Sequence, residues 1–193
     1  MQLVAERPDG VHIHRAENSA DGEAWCPAFA GAYQEIWSEP PYNERFSTEE
    51  ASAILARAVR IPDQITLLAV RDSGVVVGFG MAFPVSSKPD VVREIRGLLP
   101  IDRTFYFAEL GVMDPWRRSG LGRQLIELRL GLIDRTRYDH VIMRTSALKN
   151  ATYDLYKGLG FEDTGVYMEV PARRNDGSLR TDRRLFMAKV LDR

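Results

Sequence analysis

The feature that most constrains this chain lies within residues 107–123, where a strand runs through a short turn into a long helix. Strand-forming residues continue to Val112, Pro115 interrupts them, and Gly120 and Gly122 stand at the start of an amphipathic helix. The first amides of a helix have no partner within it and lie at the positive end of its dipole. Glycines there let a ligand approach the backbone, so the segment predicts an anion site suited to a diphosphate.

Three arginines beside these glycines, Arg117, Arg118 and Arg123, add positive charge to the predicted anion site. Two familiar phosphate-binding patterns do not fit it, because no Gly-Lys-Ser/Thr follows and the dinucleotide pattern Gly-x-Gly-x-x-Gly is absent. The simpler alternative is a glycine-tolerant helix start with surface arginines. The strand before the turn and the amphipathic helix after it favour the anion site.

The composition narrows the class of protein that can carry this segment. The chain has 193 residues, 45% of them hydrophobic, which suits the core of a single domain spanning residues 1–193. Its 26 Lys and Arg residues against 27 Asp and Glu argue against a nucleic-acid-binding protein. The single cysteine, Cys26, excludes a disulfide framework and a multi-cysteine zinc site. His12 and His14 share a strand face without an apparent third ligand, so we expect no metal site.

Neither a membrane span nor a signal peptide is predicted. The longest mostly apolar run, residues 75–85, contains two glycines and a proline and is shorter than the ~20 residues that a spanning helix needs. The first residues lack a basic segment followed by an apolar one. These features predict a cytoplasmic protein that does not bind membranes.

Hydrophobic periodicity predicts an α+β fold in the order β-α-α-β-β-β-α-β-α-β-β. The predicted strands cover residues 11–14, 65–71, 75–85, 104–112, 140–144, 161–170 and 185–191, and the predicted helices include 21–37, 119–136 and 150–159. A further helix begins with a capping box at Ser47 and Glu50 and ends before Pro62. Residues 86–100 allow one or two helical turns. The arginine-rich residues 171–184 predict a solvated hairpin loop, with a patch for an acidic partner as the alternative.

Two motifs resemble those of the Gcn5-related N-acetyltransferases (GNAT). Residues 117–122, Arg-Arg-Ser-Gly-Leu-Gly, match the Arg/Gln-x-x-Gly-x-Gly/Ala loop that binds acyl-CoA in this family. Residues 150–161 are similar to its Asn…Leu-Tyr-x-x-Leu-Gly-Phe segment, which joins a helix to a strand. The resemblance implies the GNAT fold, a mixed six- to seven-stranded twisted sheet flanked by about four helices. It also implies an acetyl-CoA-dependent N-acetyltransferase that needs no metal.

The resemblance assigns roles to particular residues. In the family, the strand before the loop is bulged and splays from the next strand, which exposes backbone groups to the pantetheine arm. The Val112 amide would donate to the thioester carbonyl, Asn150 would contact the pantetheine arm, and Tyr156 would protonate the departing thiolate. The residues implied to bind acetyl-CoA are Leu110, Val112, Met113, Arg117, Arg118, Ser119, Gly120, Leu121, Gly122, Arg123, Asn150 and Tyr156. A half-buried aromatic with a backbone partner is the alternative for Tyr156.

Glu109 is the candidate general base. On a regular strand its side chain shares a face with Phe105 and Phe107, opposite Tyr106 and Ala108. Aromatic surroundings raise the pKa of a carboxyl group, which suits it to take a proton from an ammonium group. A salt-bridged glutamate of the sheet is the alternative.

In this family the first two helices and the link between them form one wall of the acceptor site. Here the link contains Trp37, Tyr42, Glu39 and Glu44, with aromatic faces and negative charge that suit a cationic amine. We therefore expect a small-molecule acceptor such as an aminoglycoside-like antibiotic, a polyamine or an amino sugar, bound by Trp37, Tyr42 and Glu44. A stiff surface loop is the alternative.

Other functions remain open at this level. The acceptor can also be a protein α-amine or lysine, and a catalytically silent acyl-CoA sensor would carry the same loop. Nucleic-acid binding through the arginines of residues 171–184 has the least support. Neither the acyl chain length nor the oligomeric state, including a homodimer, follows from the sequence.

Overall fold

The computed structural model describes residues 1–192 as one eight-stranded mixed sheet with five α-helices. The strands are β1 (Gln2–Glu6), β2 (Val11–Ala16), β3 (Ile65–Arg71), β4 (Val76–Pro84), β5 (Thr104–Val112), β6 (His140–Ser146), β7 (Glu162–Arg173) and β8 (Leu179–Val190). The helices are α1 (Ser19–Ser38), α2 (Thr48–Ala58), α3 (Pro89–Ile95), α4 (Leu121–Leu132) and α5 (Ala151–Lys157). The predicted α+β class is confirmed. The structure adds β1 to the seven predicted strands and resolves residues 86–100 into α3 and short 3-10 turns.

The strand order is β1-β2-β3-β4-β5-β6-β8-β7, and every neighbouring pair is antiparallel except β5 and β6. Strand β1 lies at the sheet edge, and Val4 and Ala5 are its half-buried residues, so it has little hydrophobic pattern to read. The capping box that begins α2 is confirmed, since Ser47 and Glu50 bond reciprocally. No helix within residues 1–192 is long and apolar enough to cross a membrane.

The helices cover both faces of the sheet. On one side, here called the α4 face, Leu121, Leu125 and Tyr156 pack with Phe105 and Phe107. On the other side, the α1 face, residues of α1 and α2 pack on Phe79 and Met81 of β4, and α3 packs beside them around Phe83 and Tyr106. A ligand that must reach both faces therefore has to pass through the sheet.

The sheet opens between β5 and β6. These parallel strands pair from Thr104 with His140 to Phe107 with Met143, and pairing stops there although both strands continue. The second half of β5 stays paired with β4, while the second half of β6 stays paired with β8. The splay implied by the family resemblance is therefore present.

A bulge in β5 corrects the predicted orientation of Glu109. Phe107 lies opposite Ala82 and Glu109 lies opposite Met81, so three residues of β5 face two of β4. Directly opposed residues point to the same face, and Met81 packs on the α1 face while Ala82 packs on the α4 face. Glu109 thus leaves the sheet on the α1 face, opposite Phe107, because the extra residue reverses the alternation.

The hairpin of β7 and β8 corrects the prediction for residues 171–184. Both strands extend through most of this segment, so the solvated loop is limited to the turn between Arg173 and Leu179. The hairpin also contacts the link between α1 and α2, since Arg45 N donates to Arg173 O at 2.8 Å and Asn175 N donates to Asn43 O at 2.8 Å. Three arginines of this segment, Arg173, Arg174 and Arg184, therefore contact the link between α1 and α2.

Candidate active site

A cavity of about 260 Å³ occupies the opening between β5 and β6. Residues from both faces of the sheet line it. They include Tyr33, Trp37, Tyr42, Glu44, Phe46, Glu109, Leu110, Arg144, Thr145, Thr152, Tyr156 and Arg184. The cavity brings together the candidate base, the candidate acid and the predicted acceptor residues, which are far apart in the chain.

Backbone amides at the start of α4 form the anion-binding part of the site. Within residues 1–192, the amides of residues 118–123 donate no backbone hydrogen bond, whereas those of residues 117 and 124 do. Arg118 and Gly120 have left-handed backbone conformations, with φ of 60° and 86°. Such turns direct successive N–H groups to one side, and the helix dipole adds positive potential. This exposed row of amides can bind an anion such as a diphosphate.

The arginines of the turn are not equivalent. Arg117 is held in place, because its Nε donates to the Val112 carbonyl at 2.9 Å, its Nη1 contacts Asp114 and its Nη2 pairs with Glu39. Arg118 is exposed. Arg117 therefore shapes the loop, while the exposed guanidinium of Arg118 has no hydrogen-bond or ion-pair partner within residues 1–192.

A fourth arginine approaches the turn from the other end of the chain. Arg7, which follows β1, donates to the carbonyl of Ser119 at 3.1 Å and to Gln124 Oε1 at 2.8 Å. Arg123 is half-exposed beside Glu127 at 3.3 Å. Arg7 also pairs with Asp9 at 2.8 Å, so it holds the turn in place without adding a free positive charge, and no local motif indicates this contact.

Gly120→Ala should weaken this anion site. An alanine in the left-handed region costs ~1 kcal/mol or more, although a Cβ at this position meets no atom within 4 Å. We expect a lower free energy of unfolding and a several-fold weaker affinity for acetyl-CoA, measured by thermal unfolding and titration calorimetry.

Gly131→Ala in the same helix is the matched control. Its Cβ would also meet nothing within 4 Å, but Gly131 has no left-handed φ. Alanine favours helix over glycine by up to ~1 kcal/mol, so this variant should be more stable and bind acetyl-CoA normally. Equal effects of the two variants would contradict the role of the left-handed turn.

Glu109 is the titratable group at the centre of the cavity. Burial raises its pKa to about 7, against the opposing positive charge of Arg144. Tyr33 of α1 lies against it, and burial followed by the negative charge of Glu109 raises the pKa of the Tyr33 hydroxyl. A carboxyl that exchanges its proton near neutral pH suits acid–base chemistry.

Arg144 of β6 leaves the sheet on the same face as Glu109. It lies opposite Phe186, which packs with Phe83 and Tyr106 on the α1 face. Its Nη1 donates to the Met168 sulfur at 3.3 Å and lies 3.6 Å from an Asp90 carboxylate oxygen. Within residues 1–192, its Nε and Nη2 form no hydrogen bond. Arg144 is therefore a cation of the cavity whose Nε and Nη2 remain available as hydrogen-bond donors.

Tyr156 reaches the cavity from the α4 face. Its side chain is 2% exposed and packs edge-on against Phe161. Burial raises the pKa of Tyr156, and the guanidinium of Arg129 acts in the opposite direction. Glu109 and Tyr156 thus approach the same opening from opposite faces of the sheet.

Arg129 lies fully buried beneath this opening. From α4 it donates to the carbonyls of Met81 at 3.0 Å and Glu109 at 3.1 Å, which flank the bulge between β4 and β5. Its guanidinium also lies 4.3 Å from the centre of the Phe107 ring. Gly80 leaves room for it, because a Cβ there would come within 2.8 Å of Arg129 Nε. The bulge is therefore held by a side chain from the α4 face.

The other residues predicted to bind acetyl-CoA lie around the same opening. Leu110 and Val112, in the part of β5 that is not paired with β6, and Met113, just after β5, are half-buried. Leu121 is buried under the start of α4, with Gly122 beside it. The side chain of Asn150 caps α5, where its Oδ1 accepts hydrogen bonds from Thr152 N at 3.1 Å and Tyr153 N at 3.4 Å. The side-chain amide nitrogen of Asn150 remains available to donate a hydrogen bond to a ligand.

The three predicted acceptor residues line the cavity, but Glu44 does not present a free negative charge. Arg184 Nη2 donates to Glu44 Oε1 at 3.1 Å, and the same guanidinium lies 5.0 Å from the Tyr42 ring centre. Trp37 packs edge-on against Tyr42, with ring centres 4.5 Å apart. Burial raises the pKa of Glu44, and Arg184 opposes the shift. The anion and one aromatic face are therefore already occupied by an arginine of β8.

Four residues of this site were not predicted from the sequence: Tyr33, Arg129, Arg144 and Arg184. Tyr33 belongs to the apolar stripe of α1, and Arg129 follows Leu121 and Leu125 at the four-residue spacing of a buried helix face. A charged residue at a position of the apolar stripe is a signal from which the buried Arg129 could have been predicted. No local signal marks Arg144 or Arg184, because their places depend on which strands pair.

The fold and the site together define an acyl-CoA-dependent transferase architecture, and the comparisons with known proteins agree. Residues 23–161 match the model of the acetyltransferase (GNAT) family. The chain belongs to this family, whose members carry out acetyl-CoA-dependent N-acetylation. A search of curated proteins found no match.

Several solved structures share the fold. A ribosomal-protein-alanine N-acetyltransferase from Brucella melitensis is 22% identical, with a TM-score of 0.66 over 93% of this chain and 99% of that one. The yncA protein from Salmonella typhimurium, described as an acetyltransferase and solved with acetyl-CoA, is 19% identical, with a TM-score of 0.64 over 95% of each chain. A Gcn5-related N-acetyltransferase from Kribbella flavida is 19% identical, with a TM-score of 0.63 over 96% of this chain and 100% of that one. At these identities the likeness shows the fold alone.

Proposed function

We propose that this protein transfers the acetyl group of acetyl-CoA to the primary amine of a small molecule. The observation that carries the proposal is the cavity through the opened sheet, with Glu109 on one face, Tyr156 on the other and an unpaired row of amides at residues 118–123 beside it. This arrangement supports binding of a thioester at the opening, with its diphosphate at the helix start and the acceptor on the α1 face.

In the proposed reaction, Glu109 takes a proton from the acceptor ammonium, directly or through water. The neutral amine nitrogen attacks the thioester carbonyl carbon, a nitrogen–carbon bond forms, and the carbon–sulfur bond breaks. Tyr156 gives its proton to the departing sulfur, and the Val112 amide donates to the carbonyl oxygen as it gains charge. The products are the N-acetyl amide and free coenzyme A.

Positioning supplies much of the rate in such a scheme. The amine and the thioester meet in one cavity, so that the reaction between the two molecules becomes effectively intramolecular. The carboxyl of Glu109, with its pKa of about 7, is half deprotonated near neutral pH, which suits proton abstraction. No metal is required for any of these steps.

The size of the cavity favours a small acceptor over a protein. The cavity of about 260 Å³ must hold the acetyl end of the donor as well as the amine, and a second cavity of about 350 Å³, which shares Glu109 and Arg144 with it, can hold the rest of a small acceptor. The link between α1 and α2, which lines the cavity, is bonded to the β7–β8 hairpin, so opening this wall for an extended peptide would break those hydrogen bonds. A bulky polycation such as an aminoglycoside is less well supported than predicted, because Glu44 is paired with Arg184.

Release of the coenzyme A thiol from acetyl-CoA, with and without a panel of amines, tests the proposal. The panel contains amino acids, monoamines, polyamines, amino sugars, an aminoglycoside and N-terminal peptides. Acetylation of a small amine, verified by mass spectrometry, is the expected result. Tight binding of acetyl-CoA with no turnover on any amine would favour a silent acyl-CoA sensor, and turnover on peptides alone would favour a protein acceptor.

Tyr156→Phe should lower kcat by about 10²-fold while leaving the affinity for acetyl-CoA within about twofold of the native value. The hydroxyl is needed only when the sulfur leaves, whereas the ring fills the same space in both proteins. Turnover and titration calorimetry measure the two effects. Tyr167→Phe on β7 is the control, since Tyr167 does not line the cavity. Unchanged turnover of Tyr156→Phe would remove this residue from the mechanism.

A further inference from the structure

Four charged side chains line the cavity. Two of them form an ion pair with each other, and the other two keep hydrogen-bonding groups available for a ligand. Glu44 and Arg184 neutralise each other at 3.1 Å. Arg184 also contacts Asp182 at 3.0 Å, which in turn pairs with Arg174. Glu109 and Arg144 are the remaining charged groups of the lining. An acceptor that enters the cavity therefore meets one carboxyl group and one guanidinium group.

Glu109 and Arg144 are placed so that one small molecule can contact both. They stand on the neighbouring strands β5 and β6, just beyond the last paired residues Phe107 and Met143. Both side chains leave the sheet on the α1 face, since Glu109 lies opposite Met81 and Arg144 lies opposite Phe186. The splay leaves the space between them open.

The free donors of Arg144 determine which chemistry complements this site. Its contacts with Met168 and Asp90 use Nη1, and within residues 1–192 its Nε and Nη2 form no hydrogen bond. The Nε and Nη2 edge of a guanidinium matches the two oxygens of a carboxylate. Glu109 can bind the ammonium group of an acceptor, and the free donors of Arg144, whose Nη1 lies 3.6 Å from Asp90, can bind its carboxylate, so a zwitterion complements the two groups together.

We infer that the acceptor is a free amino acid, whose ammonium group lies at Glu109 and whose carboxylate is bound by Arg144. The inference rests on the proposed function, because it assigns the acceptor of the same reaction. Arg144 is then the residue that determines specificity. It holds the acid group on β6 so that the amine points into the opening of the sheet, where the thioester carbonyl is attacked. The small volume of the cavity agrees with an acceptor of this size.

The experiment compares amino acids with the amines that lack their carboxylate. The matched pairs are phenylalanine with phenethylamine, leucine with isoamylamine, and lysine with cadaverine, each tested with acetyl-CoA and the full chain. We expect kcat/KM to be at least about tenfold higher for the preferred amino acid than for its amine, mainly through KM, because a charge-assisted bidentate contact is lost.

Arg144→Gln should abolish this preference by raising KM for the amino acid about 10- to 100-fold. The measurement is the ratio of kcat/KM between the amino acid and its amine, because losing the Arg144 charge also raises the pKa of Glu109 and so affects both substrates. Arg144→Lys keeps the charge without the planar fork, so it should recover part of the preference. Arg180→Gln, an exposed arginine of β8, is the control and should behave as the native protein. Thermal unfolding of each variant verifies that it is folded.

The outcomes separate the inference from the proposed function. Acetylation of amines with no preference for the amino acids, or a preference that survives in Arg144→Gln, would overturn the inference and leave the proposed function standing. Preference for a polyamine or an aminoglycoside would also overturn it. Failure to acetylate any amine, with acetyl-CoA bound, would reject the proposed function and the inference together.

Discussion

Glu109→Gln should lower kcat at pH 8 by about 10²- to 10³-fold, because the amide cannot accept a proton from the acceptor ammonium. In the native protein the pKa of Glu109 is raised to about 7 by burial, so kcat should rise with pH through about 7 and level off above it. The variant should lack this rise. The measurement is the pH dependence of kcat between pH 5.5 and 9, with the acceptor that the panel identifies.

Stability separates this catalytic effect from a structural one. The pKa of Glu109 lies above its ordinary value of 4.5, so the group favours folding below that value and loses this contribution as the pH rises through about 7. Glutamine removes the cost of the buried charge, and Glu109→Gln should therefore be at least as stable as the native protein at pH 8. Glu162→Gln, at an exposed position of β7, is the control. A variant that retains the native pH profile would show that Glu109 is not the base.

Arg129→Met should lower the free energy of unfolding by about 2–5 kcal/mol. The substitution leaves the carbonyls of Met81 and Glu109 without the donor that reaches them at 3.0 and 3.1 Å, and each buried unsatisfied acceptor costs ~1–3 kcal/mol. The groove that Gly80 opens for the guanidinium is also left poorly filled. Chemical denaturation at pH 7.5 measures the change.

Arg129→Met could also leave the free energy of unfolding unchanged or raise it for a physical reason. Burial lowers the pKa of Arg129, and a buried cation without a carboxylate partner is itself costly. Stability equal to or above that of the native protein would show that the two carbonyls find other donors and that the bulge does not depend on Arg129. Arg123→Met, an exposed position in the same helix, should change the free energy of unfolding by no more than ~0.5 kcal/mol. Arg129→Lys tests whether a single donor is enough.

Local interactions explain which parts of the fold were predictable from the sequence. The capping box at Ser47 and Glu50 joins residues three apart, and the turn of the β3–β4 hairpin depends on residues 72–74. The start of α4 needs Gly120 because its φ of 86° suits only glycine well. Each of these features is encoded within a few residues, so a pattern in the sequence is enough to find it.

Elements with weak or distant signals were predicted incompletely. Strand β1 buries few side chains, and the short α3 has too few turns for a clear hydrophobic period. Helix α4 was predicted over residues 119–136, but it spans Leu121–Leu132, and the chain is extended at Ile133 with ψ of 131°. Arginine-rich residues in 171–184 suggested solvent exposure, yet Arg174 is paired with Asp182 of β8 and Arg184 is paired with Glu44 of the link between α1 and α2.

The order of seven of the strands, the glycine turn before α4 and the motif that contains Tyr156 depend on neighbours along the chain, and local patterns were enough to find them. The face that Glu109 occupies follows from tertiary structure, because the bulge arises from the register between β4 and β5. Tertiary structure also decided that Glu44 is paired with Arg184 and that Arg144 stands beside Glu109 in one cavity. Strand pairing joins residues that are tens of positions apart, and a single added residue reverses the alternation of side chains, so no local pattern contains this information.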